Sequence, residues 1–81
     1  MYQTIGEKIM VSGTYSLGKF IPRKFLWSGK TYPISEITLT TEIKDGGTKQ
    51  RMYSVLSGGN VYRLMFNRDF ETWILAEVWY D

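Results

Sequence analysis

Residues 36–66 read EITLTTEIKDGGTKQRMYSVLSGGNVYRLMF, and the fold turns on how this stretch folds back on itself. Ile37, Leu39, Thr41 and Ile43 alternate with Glu36, Thr38, Thr40, Glu42 and Lys44. A period of two marks a strand with one wet face. Asp45-Gly46-Gly47 follows and supplies the positive φ that a short hairpin needs. With Lys44 and Thr48 flanking a three-residue loop, Leu39 falls opposite Tyr53 and Ile37 opposite Val55. Folding at Gly58-Gly59 then sets Val55 opposite Tyr62, Tyr53 opposite Leu64 and Arg51 opposite Phe66. Both hairpins place one apolar row on the same face, and a one-residue slip would invert it.

The opposite face is mixed. Met52 and Met65 line up there with Thr40, and Leu56 lines up with Val61, diluted by Ser54 and Arg63. The last strand, expected from Thr72 to Tyr80, is apolar on both sides. Trp73 and Leu75 continue the main row, through a turn over 67–71 that pairs Phe66 with Trp73 and Leu64 with Leu75. Ile74, Ala76 and Val78 point the other way and extend the mixed face. A strand of this kind is covered on both sides. Residues 1–20 or a partner chain must therefore cover Met52, Leu56, Val61, Met65, Ile74 and Val78, which are the candidate interface residues.

Upstream, Met1 to Gly6 reads as a loose or weakly paired entry, and 1–7 is expected to be loose. A first strand follows from Lys8 to Tyr15, and a second from Arg23 to Trp27 after Pro22. Ser28-Gly29 is a two-residue hairpin signal that pairs Trp27 with Lys30, Phe25 with Tyr32 and Lys24 with Pro33. The Lys24–Pro33 pair is then a non-hydrogen-bonded one, so proline's missing N–H costs that ladder nothing. Apolar parity changes between Ile34 and Ile37, which predicts a bulge near Ser35. No helical apolar stripe is present. The expectation is one all-β domain over 1–81, an antiparallel meander of five to six strands curled into a small barrel like the Src-homology-3 type or a strongly twisted sheet.

Composition narrows the chemistry. The 81-residue chain has no Cys and no His, which removes thiol nucleophiles, disulfides, the usual zinc sites and any Ser-His-Asp arrangement. A domain this small has a marginal core, so most of its three Trp, six Tyr and four Phe are needed for packing. No apolar run resembles a signal peptide or a membrane span, and a cytoplasmic setting without membrane, metal or cofactor is expected. Glu36 and Glu42 are too far apart on one strand to form a catalytic pair. Asp69 and Glu71 sit in a turn, and no enzyme is expected. The glycine pairs open no helix, so they are turns and not phosphate loops.

The charge of +2 is unevenly spread. From Lys8 to Ser35 the chain carries bases and no acid, and from Asp69 to Asp81 acids and no base. Lys19, Arg23, Lys24 and Lys30 lie among aromatic residues, a pattern that suits weak, sequence-independent contact with nucleic acid. The competing reading makes Phe25 and Tyr32 a core pair with solvated lysines around them.

Pro22, Phe25, Trp27, Gly29, Tyr32 and Ile34, then Tyr53, Val55, Tyr62, Leu64, Trp73, Leu75 and Val78, form a pattern of their own. It resembles an uncharacterised family of short all-β bacterial proteins, a domain of unknown function, with a Phe-x-Trp-x-Gly-x-x-Tyr hairpin. The resemblance runs from Pro22 to the C-terminus and implies no activity. The functional expectation is a non-enzymatic binding module for protein–protein interaction or self-association, with nucleic-acid binding through residues 19–30 as the alternative.

Overall fold

The computed structural model describes residues 1–80; Asp81, counted above in the acidic run, and the side chain of Asp45 lie outside the described residues. Seven strands form: β1 (Tyr2–Ser16), β2 (Lys19–Trp27), β3 (Lys30–Pro33), β4 (Glu36–Asp45), β5 (Thr48–Ser57), β6 (Asn60–Asn67) and β7 (Thr72–Trp79). They make one antiparallel sheet in the order β3-β2-β1-β7-β6-β5-β4. Among the described residues no helix is long and apolar enough to cross a membrane.

Four two-residue turns set the registers. Leu17-Gly18, Ser28-Gly29, Gly46-Gly47 and Gly58-Gly59 all have positive φ at both positions. This geometry matches the right-handed strand twist, and the two Gly-Gly pairs adopt it without a Cβ penalty. The β5–β6 register is as expected, with Val55↔Tyr62, Tyr53↔Leu64 and Arg51↔Phe66. The β2–β3 register also follows expectation, with Lys24↔Pro33 at its end.

Four expectations are corrected. The strand count is seven, not five or six. The entry segment is not loose: β1 begins at Tyr2, and Tyr2, Gln3 and Thr4 pair with Trp79, Val78 and Glu77 of β7. Here β7, apolar on both faces, gains a second strand neighbour, and the bend at Gly6 (φ 70°) lets one long strand serve both β7 and β2. Next, the Gly46-Gly47 loop has two residues, so Asp45 pairs with Thr48 and Tyr53 faces Thr40, not Leu39. Leu39 pairs with Ser54 and points outward, 50% exposed. Finally, the bulge lies at Thr38, not near Ser35, and it restores Ile37↔Val55.

The sheet curls into a half-barrel. Its two edge strands, β3 and β4, are consecutive in the chain, joined by Ile34-Ser35. Ile34 donates to the Arg23 carbonyl and Ser35 to the Leu56 carbonyl, both at 2.8 Å, so the link pins the two edges together at one corner. The concave face holds the core: Ile9, Phe25, Tyr53, Val55, Tyr62, Leu64, Leu75 and Val78. Each such buried side chain stabilises the fold by ~1.5–3 kcal/mol. Phe25 stacks on Tyr32 at 5.0 Å and meets Tyr62 edge-on at 5.2 Å.

Candidate functional site

Three surfaces carry the residues singled out by sequence. The first is the convex face of β4–β7. Met52, Met65 and Ile74 are cross-strand neighbours there, flanked by Leu56 and Val61, and all five are half-buried. β1 lies beside β7 in the sheet and not over this face, so residues 1–20 do not cover it. Val78 does not belong to the face. A bulge at Ala76 shifts the pairing from Leu64↔Leu75 to Arg63↔Glu77, turning Val78 into the core at 0% exposure. Trp79 takes its place opposite Val61, and Leu39 joins from β4. Sequence reasoning missed both because Trp79 depends on one inserted residue and Leu39 on a turn one residue shorter than expected.

At the centre of this face Arg63 Nη1 donates to Glu77 Oε1 at 3.0 Å, and the Arg63 guanidinium lies 5.8 Å from the Trp79 ring centroid. A shallow groove beside them is lined by Thr38, Leu39, Ser54, Val61, Arg63 and Trp79.

The second surface is the basic segment, whose cations do not converge. Lys19 starts β2, and Lys30 lies beyond its other end, after nine strand residues spanning roughly 30 Å. Arg23 is the bulged residue opposite Ser12–Gly13, its Nε donating to Thr14 Oγ1 at 3.4 Å. Lys24 pairs with Ser12, and Lys30 Nζ lies 5.3 Å from the Tyr32 ring. Phe25 and Tyr32 are a core pair, with Phe25 only 1% exposed.

The third surface is a cleft where the half-barrel stays open. The first residues of β2, Lys19 to Ile21, face Ile37, Thr40 and Glu42 across a groove of about 410 Å³ floored by Arg51 and Tyr53. A neighbouring hollow of about 210 Å³ shares Phe20, Arg51 and Tyr53 and runs under Tyr15, Phe66 and Trp73. Trp73 is its hub: its ring centroid lies 4.8 Å from Phe66, 5.4 Å from Tyr53 and 5.9 Å from Phe20.

Charge in this cleft is organised around Glu42. Arg51 donates to it through Nε at 2.8 Å, with Nη2 at 2.7 Å, and Arg68 approaches at 3.5 Å. The Arg51 hydrogen bond holds the Glu42 carboxyl below its ordinary range. Tyr53, whose hydroxyl is 3.5 Å from Arg51 Nη1, and then Glu42 hold the guanidinium more firmly protonated than usual. A cation in an apolar row, Arg51 opposite Phe66, is the one sequence signal that points to this cleft.

Among the described residues no three His, Cys, Asp or Glu side chains cluster in a way that could hold a metal ion. No family model matches the chain, and neither the curated proteins nor the solved structures contain a match.

Proposed function

We propose that this domain acts by binding protein, without catalysis, and that the convex face of β4–β7 meets the same face of a second copy. The observation that supports this reading is the place of β1. It is inserted in the sheet between β2 and β7, so no described strand lies over Met52, Val61, Met65 and Ile74, and only Tyr2, whose ring centroid lies 4.8 Å from that of Trp79, reaches the rim of the face. Two apolar rows, Met52–Met65–Ile74 and Leu56–Val61–Trp79, flank the Arg63–Glu77 pair on this face. Apolar surface of that kind marks an interaction site, and Met and aromatic residues are enriched in such patches.

Electrostatics favours a second copy over a charged partner. At the centre of the patch Arg63 and Glu77 neutralise each other, so two copies meet about a two-fold axis without like-charge repulsion. Sedimentation equilibrium on the wild type and on Met65→Lys and Ile74→Lys tests the reading. The wild type is expected to dimerise at micromolar to millimolar concentration, and both variants to be monomers with nearly unchanged melting temperature. A wild type that stays monomeric at millimolar concentration, or variants that unfold, would overturn it.

A further inference from the structure

The half-barrel has room for one more strand, and we propose that an extended segment of a partner protein, apolar at one end and acidic at the other, fills it by pairing with the free edge of β4. This site is separate from the convex face and lies on the other side of the sheet.

Ladder parity identifies the free backbone groups. Asp45↔Thr48 closes a two-residue turn, so that pair exchanges hydrogen bonds, as do Ile43↔Gln50 and Thr41↔Met52. The intervening residues Thr40, Glu42 and Lys44 turn their N–H and C=O groups away from β5, and β4 is the last strand of the sheet. The same count from Ser16↔Lys19 directs the Phe20 backbone groups outward from β2. Pro22 has no N–H to offer, so β2 is blunted two residues on and the ladder forms on β4.

The shape and charge of the opening then select the occupant. The edges are pinned at Ile34-Ser35, and the floor nearest that corner is apolar, made by Ile21, Ile37 and Tyr53. Toward the open end the side chains are cationic. Lys19 stands on one rim, and Lys44 and Lys49 share the face of Arg51 by alternation. Arg68 reaches the same Glu42 carboxylate that Arg51 holds. Glu42 is thus already matched, Asp69 and Glu71 sit beyond in the β6–β7 turn, and the open end keeps surplus positive charge. An incoming strand with an apolar residue near the corner and carboxylates toward the mouth meets both demands, with main-chain bonds for affinity. Single-stranded nucleic acid would use the same cations and rings but leaves the outward amides of β4 unused.

The test titrates the isotope-labelled full chain with an extended peptide that is valine-rich at one end and glutamate-rich at the other, its counterpart with lysine in place of glutamate, and oligothymidylate. The expected result is that the glutamate peptide binds, the amides of Thr40 and Glu42 shift and gain exchange protection, and the lysine peptide binds about tenfold or more weaker. Thr40→Pro removes an outward N–H that β5 does not use and should weaken binding about tenfold. Lys19→Glu, a fully surface change, should weaken it severalfold even where the proline variant folds poorly. The proposal is overturned by no peptide binding at millimolar concentration, by shifts confined to the convex face, by indifference to both substitutions, or by oligothymidylate binding in the cleft where the peptide does not.

Discussion

Gly13→Ala tests the packing of β1 on β2 more sharply than any core truncation. Gly13 pairs with Pro22 beside the Arg23 bulge, and it does not adopt a left-handed φ. Its need is space: a methyl there would overlap the Ile21 carbonyl oxygen and press on the Phe20 ring at 2.8 Å. Ordinary carbon contacts begin near ~3.5 Å. The main obstacle is backbone, so rotamer changes cannot relieve it, and the cost should lie at the upper end of overpacking, ~3 kcal/mol. Restricting the unfolded chain returns ~0.5 kcal/mol. The net of roughly 2.5 kcal/mol lowers the melting temperature of a domain this size by about 10–20 °C. Thermal and urea unfolding followed by circular dichroism would measure it. Gly59→Ala is the control, since that glycine has φ 84° and open space around it. It should lose only ~1–2 kcal/mol, through backbone strain alone. A Gly13→Ala melting temperature within about 3 °C of wild type would refute the assigned approach of β2 to β1, and with it the position of Phe20 at the cleft.

Val78→Ala and Leu39→Lys together test the Ala76 bulge and the two-residue Gly46-Gly47 turn: the first should cost ~2–3 kcal/mol as a fully buried truncation, and the second no more than ~0.5 kcal/mol as an outward substitution. A reversed order in chemical denaturation would return both residues to the faces that simple alternation assigns them. Glu42→Gln should alter the acid limb of stability. The folded-state pKa of Glu42 is depressed by Arg51, so its contribution is fully present above the ordinary glutamate range and is lost as pH falls through the folded value. Melting temperatures of wild type and Glu42→Gln should therefore differ at neutral pH and converge in strong acid. A gap that persists there would show that the effect is not the carboxylate's charge.

What could be read in the chain was local. The Gly58-Gly59 turn set β5–β6 without error, Ser28-Gly29 set β2–β3, and the 67–71 turn set Phe66↔Trp73. What could not be read were the single inserted residues at Thr38, Ala76 and Arg23. Each flips the parity of everything beyond it, and each answers to the curl of the whole sheet rather than to its neighbours in sequence. Leu39 left the core row because the Gly46-Gly47 turn holds two residues where three were expected, with the Thr38 bulge returning Ile37 to the row, and Val78 entered it through the bulge at Ala76. The cleft was illegible for a related reason. Phe20, Arg51, Tyr53, Phe66 and Trp73 come from four strands, and the place of β1 between β2 and β7 is what brings them together.

The opening itself has a local cause. β3 runs only from Lys30 to Pro33 and pairs with Lys24 to Trp27, and Ile34 still reaches Arg23, which leaves the first four residues of β2 without an outer neighbour. Had β3 continued past Pro33, it would have filled the gap; instead Ile34-Ser35 carries the chain across to β4. Unprotected edges invite indiscriminate pairing, and here the defences are distributed unevenly. Pro22 blunts β2 and the Thr38 bulge distorts the start of β4, whereas Leu39 to Lys44 forms a regular ladder with neither device. That stretch is guarded instead by charge on the concave side, where Glu42, Lys44 and Arg51 would be desolvated by any strand laid over them. A strand without carboxylates would bury surplus cations unpaired, a cost that a matched acidic strand avoids. The charge that would discourage indiscriminate pairing at this edge is therefore the same one that would select the proposed acidic strand.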